Sequence, residues 1–197
     1  MDVKESFIEI YETFIERAGA EKLLEYLKSS DFFTAPASTK FHSAEVSGLC
    51  LHSINVYNRL VKLVELEYGE NWEDQCSHET VAICGLLHDV CKTNMYKIEY
   101  RNFKDANGNW SKKPYYVIDD DLPFGHGEKS VYIINGFMRL TRKEALAINW
   151  HMGGFDDRIK GAGAGALSKV YYNYPIALML HLADVQASYL DEKLPES

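Results

Sequence analysis

The chain has 197 residues, 46% hydrophobic and 25% charged, which suits one globular domain with a sizeable core and excludes a disordered or fibrous chain. Its formal net charge of −8 argues against a broad basic face for duplex DNA, though not against a small anionic substrate. The opening MDVKESFIEIYETFIERA has no basic n-region and no small-residue cleavage site, and no apolar run approaches the roughly 18–20 residues that span a bilayer. The expectation is a cytoplasmic protein with no membrane partner.

Phe7, Ile8, Ile10, Tyr11, Phe14 and Ile15 recur at helical spacing, and a second short helix is expected from about Ala20 to Leu27, so N-terminal helices occupy 1–30. The stretch SSDFFTAPASTKFHSAEVSG reads as a loop whose Phe32, Phe33 and Phe41 tuck against the body. An apolar stripe of Leu49, Val56, Leu60, Leu63 and Val64 predicts a helix from about Leu49 to Glu67. Ser77 can cap the next helix, ETVAICGLLHDVCK, whose nearly all-apolar body predicts burial and whose end is the polar pair His88-Asp89. Between about 95 and 118 the pattern changes to partial alternation, an Asn107-Gly108 turn and KKPYYVI, which predicts an inserted β-hairpin with Pro114 on an edge strand. Tyr96, Tyr100, Tyr115 and Tyr116 on it are expected to pack rather than to stack on a base. Helices resume at about 127–137, and Thr141 to Glu144 is a capping box that starts the helix carrying Trp150 and His151. GAGAGALSK, 161–169, reads as a flexible loop without P-loop lysine spacing, and Pro175 suits the first position of a last long helix, IALMLHLADVQASYLDE. With no repeat and no linker, 1–197 reads as a single domain.

Seven histidines occur, and a lone histidine is more often packed or solvated than a ligand. Their arrangement carries more. An adjacent His-Asp pair ending an apolar helix is costly to bury unless something pairs with it, and a divalent cation is an efficient partner. His52 lies inside the preceding helix and Asp184 inside LMLHLADVQ, so each interrupts an apolar surround, as a ligand set built from facing helices requires. Imidazole and carboxylate suit zinc, iron, manganese or nickel. Cys50, Cys76, Cys84 and Cys91 form no C-x-x-C pair, which disfavours a structural zinc site and leaves them as reduced thiols on helices.

The order His52, His88-Asp89, Asp184 resembles the H…HD…D signature of the HD-domain superfamily. With His126 in FGHGEKSV and His151 in NWHMGGFD it resembles the binuclear branch, which includes HD-GYP phosphodiesterases and other nucleotide-active enzymes, and Lys92 in HDVCK matches the HDxxK form of that branch. The resemblance spans about 48–191; the hairpin lies outside the shared core, and no GYP motif is present. It implies an all-α HD-domain helical bundle with a small inserted β-hairpin. It also implies one metal held by His52, His88, Asp89 and Asp184, and a second held by His126 and His151 with Asp89 bridging. Two divalent transition-metal ions (Mn, Fe, Ni or Zn) would then activate water for hydrolysis of a phosphomonoester or phosphodiester in a nucleotide or short nucleic acid, with Asp89 and Lys92 catalytic and Lys92 contacting a phosphate oxygen. A solvated helix-end lysine is the plainer reading of Lys92. Two alternatives share the ligand order: an HD-type di-iron oxygenase, and a metal- or nucleotide-binding module without turnover.

Other residues are weaker candidates. Arg158 and Lys160, after Gly153-Gly154, could reach an anionic substrate from a mobile loop, against the plainer reading of solvated loop charges. His181, three before Asp184, either orients that aspartate or packs in the core. His42 and His78 are expected to face solvent, and Asp119-Asp120-Asp121 to be a solvated or capping run. Specificity is expected in the hairpin and the Phe32-to-Phe41 loop, while the N-terminal amphipathic helices could cover the core or meet a partner, leaving oligomeric state open.

Overall fold

The computed structural model describes residues 2–39, 43–104, 108–161 and 163–192. Among these, the helices are α1 (Val3–Phe14), α2 (Ala20–Ser29), α3 (Gly48–Tyr68), α4 (His78–Leu87), α5 (His126–Asn135), α6 (Arg142–Asn149), α7 (Gly163–Asn173) and α8 (Pro175–Gln186). One antiparallel hairpin, β1 (Tyr96–Lys104) and β2 (Trp110–Ile118), is inserted between α4 and α5. The protein is therefore mostly helical with a small two-stranded sheet. No helix among the described residues is long and apolar enough to cross a membrane.

Helix α4 is the hub. The Ser77 hydroxyl caps it by accepting from the Thr80 N–H at 3.3 Å, and every residue from Thr80 to Leu87 is buried. A helix apolar on all sides needs neighbours on all sides, and α1, α3 and α6 supply them. Its approach to α3 is set by Gly85, where an added Cβ would lie 2.6 Å from the Tyr57 Cα. α8 in turn packs on α3, α6 and α7. The Phe32 and Phe33 rings meet Phe7 edge-on at 5.0 and 5.4 Å, so this part of the 29–48 loop does cover the core; Phe41 and His42 lie outside the described residues.

At α6, the Thr141 hydroxyl accepts from the Glu144 N–H at 3.4 Å and Glu144 accepts from the Thr141 N–H at 2.8 Å. Glu144 is fully buried and takes a bidentate pair from Arg17 at 2.7 and 2.9 Å, plus the Thr80 hydroxyl at 2.8 Å. Arg17 also reaches Glu79 at 2.7 Å, so one guanidinium links the α1–α2 connection to α4 and α6.

Three expectations are corrected. The Gly/Ala stretch expected to be a loop is largely helix α7, because Val170 is buried and Leu167 and Tyr171 pack on the core, and that burial outweighs the low helix propensity of glycine. The last helix does not run unbroken to Glu192: at Ala187 it widens into a π-turn, Ala187–Asp191, closed by the Glu192 N–H on the Ala187 carbonyl at 3.2 Å. His78 does not face solvent. It stacks on Phe14 at 3.7 Å, and its ring nitrogen lies 2.8 Å from the Tyr57 hydroxyl. Of the predicted hairpin turn, Gly108 adopts the left-handed φ of 87° that favours glycine, and Asn107 lies outside the described residues.

Candidate metal centre

Five elements each deliver a ligand-type side chain to one place. His52 comes from α3, His88 and Asp89 from the end of α4, His126 from the first residue of α5, His151 from the turn after α6, and Asp184 from α8. His52, His88, Asp89 and His151 are 0–2% exposed. The His52 Nε2 lies 3.2 Å from Asp184 Oδ1 and 3.3 Å from His88 Nε2.

Asp89 sits between two sets of imidazoles. Its Oδ2 faces His52 and His88, each at 3.6 Å, and its Oδ1 faces His126 at 2.7 Å and His151 at 3.4 Å. Three overlapping donor groups result, each with ligand atoms within 4.8 Å of one another: His52, His88 and Asp184; His88, Asp89 and His151; Asp89, Cys91 and His126. These buried groups can hold a metal ion.

Backbone contacts fix which ring nitrogens point inward. The His88 Nδ1–H donates to the Gly85 carbonyl at 2.9 Å, and the His151 Nδ1–H donates to the Ile148 carbonyl at 2.7 Å. Each therefore presents an Nε2 lone pair to the cluster. The His151 Nε2 is buried with no hydrogen-bond partner among the described residues. A buried acceptor without a donor is costly, and a cation removes that cost. The chemistry of the set, imidazoles and carboxylates converging as acceptors, fits a divalent transition metal.

Protonation follows from this excess of acceptors. Burial pushes His52 down, but hydrogen bonds to Asp184 and Glu192 outweigh it and raise the imidazole to about 9. Burial likewise opposes His126, yet Cys91 and Asp89 raise it to about 10. His88 is lowered by burial to about 3 and stays neutral. Burial favours protonation of Asp89, but the Lys92 ammonium and the hydrogen bond from His126 hold it well below the carboxylate range. Asp184 is also held low, against burial, by His52. A cation held by the cluster would take the place of the imidazole protons.

Lys92 is not a solvated helix-end lysine: its Nζ lies 2.6 Å from Asp89 Oδ2 and its side chain is 14% exposed. Arg158 is not a free loop cation. Its guanidinium pairs with Asp156 at 2.5 Å and with Glu128, donates to the Asn149 carbonyl at 2.7 Å, and lies over the Trp150 ring at 4.1 Å. Because Glu128 follows His126 by two and Asn149 precedes His151 by two, Arg158 straps the two histidine-bearing turns together instead of reaching outward. Lys160 is 82% exposed and pairs with Asp157 at 2.5 Å. His181 does not hold Asp184; its Nδ1–H donates to the His151 carbonyl at 2.8 Å. The aspartate run is a structural one, with Asp119 on Lys97 at 3.2 Å and Asp120 on Lys129 at 2.5 Å.

Two residues at the centre escaped the sequence reading. Glu192 accepts from His52 Nδ1–H at 2.8 Å and from the Ser43 hydroxyl at 2.8 Å, and it is buried. Only the π-turn brings it back to α3, and no sequence pattern announces that turn. Cys91 places its Sγ 3.4 Å from His126 Nδ1; its position two after Asp89 was visible, but the fold of the α4–α5 connection was not. No protein-family model, curated protein or solved structure matches the chain.

Proposed function

We propose that this protein is a metal-dependent phosphohydrolase of the HD-domain type, cleaving a phosphomonoester or phosphodiester in a nucleotide or short nucleic acid. The observation that carries the reading is Asp89, whose two oxygens face two separate imidazole sets. On this reading His52, His88, Asp89 and Asp184 would hold one ion, and His126 and His151 would hold a second together with Asp89. Manganese, iron, nickel and zinc all suit these donors. Bound ions would supply Lewis acidity that acidifies water near neutral pH and offsets the charge growing on a phosphoryl oxygen.

The chain's own residues do the rest. Asp89 stays anionic beside Lys92, and the remaining ammonium N–H bonds are donors for a phosphate oxygen. Gly85 and Ile148 carbonyls keep His88 and His151 in the tautomer that offers Nε2. Glu192 does the same for His52 from the opposite side.

The test is release of phosphate or opening of a phosphodiester across a panel of nucleotides and short oligonucleotides. Protein loaded with manganese, iron, nickel or zinc should turn over at least one of them, and Asp89→Ala none. Oxygen consumption with iron alone, and no hydrolysis, would replace this reading with the oxygenase one. Retained nucleotide without product would replace it with a binding module.

A further inference from the structure

The hairpin differs in chemistry from the rest of the molecule. Residues 96–118 carry five cations (Lys97, Arg101, Lys104, Lys112, Lys113) against Glu99 and Asp105, a net +3 in a chain of net −8, so the remainder stands at −11. Lys97 is neutralised by Asp119, but among the described residues the other four cations make no salt bridge.

The pairing register sorts the side chains. Tyr100 lies opposite Pro114, Asn102 opposite Lys112, and Lys104 opposite Trp110, which puts Tyr100, Trp110, Lys104 and Lys112 on one face. Tyr100 is 66% and Trp110 70% exposed, and Ile98 and Ile118 on the same face are 54% and 61% exposed. A two-stranded hairpin standing in water is marginal alone, and an exposed apolar face of this kind marks a binding surface. Its sequence neighbours are the candidate metal centre itself: β1 begins four residues after Lys92, and β2 leads through a short loop to His126. The Asp119 N–H closes the base on the Met95 carbonyl at 2.9 Å.

We infer that this hairpin is a binding arm for single-stranded nucleic acid, with bases stacked on Tyr100 and Trp110 and phosphates met by Lys104 and Lys112, leading a strand toward the metal centre. The inference deepens the phosphohydrolase reading and rests on it for the direction of the strand, but binding by the arm is measured without turnover. Exposed rings interleaved with cations suit unpaired bases, whose π-faces a duplex hides. The remainder of the chain, at a net −11, disfavours a polyanion as a whole, so the arm is the net basic segment that a strand would meet.

Fluorescence anisotropy of the as-purified protein with labelled single strands of about 12 nucleotides, DNA and RNA, tests it against a duplex of equal length. Single strands of at least one type should bind, and the duplex should bind about tenfold more weakly or worse. Trp110→Ala and Tyr100→Ala should each cost roughly tenfold in affinity while the melting temperature is kept. Lys104→Glu with Lys112→Glu should flatten the dependence of log affinity on log salt by about 1 or more. Asp89→Ala should still bind, which separates failure of the arm from failure of the hydrolase reading. Absence of binding by folded protein at low salt, or a duplex bound as well as a single strand, overturns the inference. So does a dimer, seen by light scattering, that Trp110→Ala converts to monomer with no oligonucleotide bound, because the arm's occupant is then a second copy of the chain.

Discussion

At the scale of single residues, the centre depends on which nitrogen each histidine presents. His88 and His151 are set by carbonyls of their own turns, so their orientation is local and survives distant change. His52 is different: it depends on Glu192, a carboxylate from the far end of the chain. Replacing such a partner weakens metal affinity by about 10–100-fold. Glu192→Ala should do so in competition with a chromophoric chelator, and Glu192→Gln, which keeps an acceptor for the imidazole N–H, should lose less. Equal affinity in all three proteins would remove Glu192 from this role. His52, His88, Asp89 and Asp184 stood out in the sequence because each interrupts an apolar helix or ends one, whereas His126 and His151 stood out only through the resemblance in ligand order. Glu192 did not, since it sits in an acidic, polar terminus where one more carboxylate carries no signal. The engagement of Arg158 was hidden for a related reason, as Glu128 lies 30 residues away along the chain.

At the scale of elements, close approach of backbones holds the ligands at their spacing. Gly85 lets α4 meet α3, which brings His88 to His52. Gly127 lets α5 meet the end of α6: an added Cβ there would lie 2.3 Å from the Asn149 carbonyl oxygen. Alanine is the better helix former by about 0.8–1 kcal/mol, whereas overpacking costs about 1–3 kcal/mol. The second effect should win, so Gly127→Ala is expected to lower the melting temperature by a few degrees and to weaken metal binding, since the shift parts His126 from His151. An unchanged or raised melting temperature would mean that the contact relaxes freely. Periodicity and capping signals located most helices, including the capping box of α6 and Pro175 at the start of α8. They missed α7 because its helicity comes from packing against α8, not from its Gly- and Ala-rich local sequence.

Across the whole molecule, the Arg17 network joins the N-terminal helices to the core that carries the site. Burial would raise Glu144, but Arg17, Thr141 and Thr80 lower it below the ordinary 4.5, and Arg17 lowers Glu79 as well. A carboxylate depressed in the folded state contributes stability that is complete above its unfolded pKa and is lost as pH falls through the folded one. Wild-type protein should therefore lose stability on acidification below 4.5. Arg17→Met leaves Glu144 buried and unpaired, at a cost of about 3–5 kcal/mol. Burial then raises the Glu144 pKa, so the deficit of the variant should be largest at neutral pH and shrink as the pH falls. Denaturant melts from neutral to acid pH check this, and a deficit that grows on acidification would contradict it. Charge and composition anticipated a chain without a basic body, but not the basic hairpin, whose cations are diluted by 29 acidic residues overall.

The central claim is that His52, His88, Asp89, His126, His151 and Asp184 form one metal centre organised around Asp89. Elemental analysis of protein purified without chelator, wild type beside Asp89→Ala, tests it most directly. About two equivalents of transition metal per chain in the wild type, largely lost in Asp89→Ala while the helical circular dichroism persists, is the predicted result. No metal in the wild type, even after reconstitution with manganese, iron or zinc, would make these side chains a structural cluster and contradict the account.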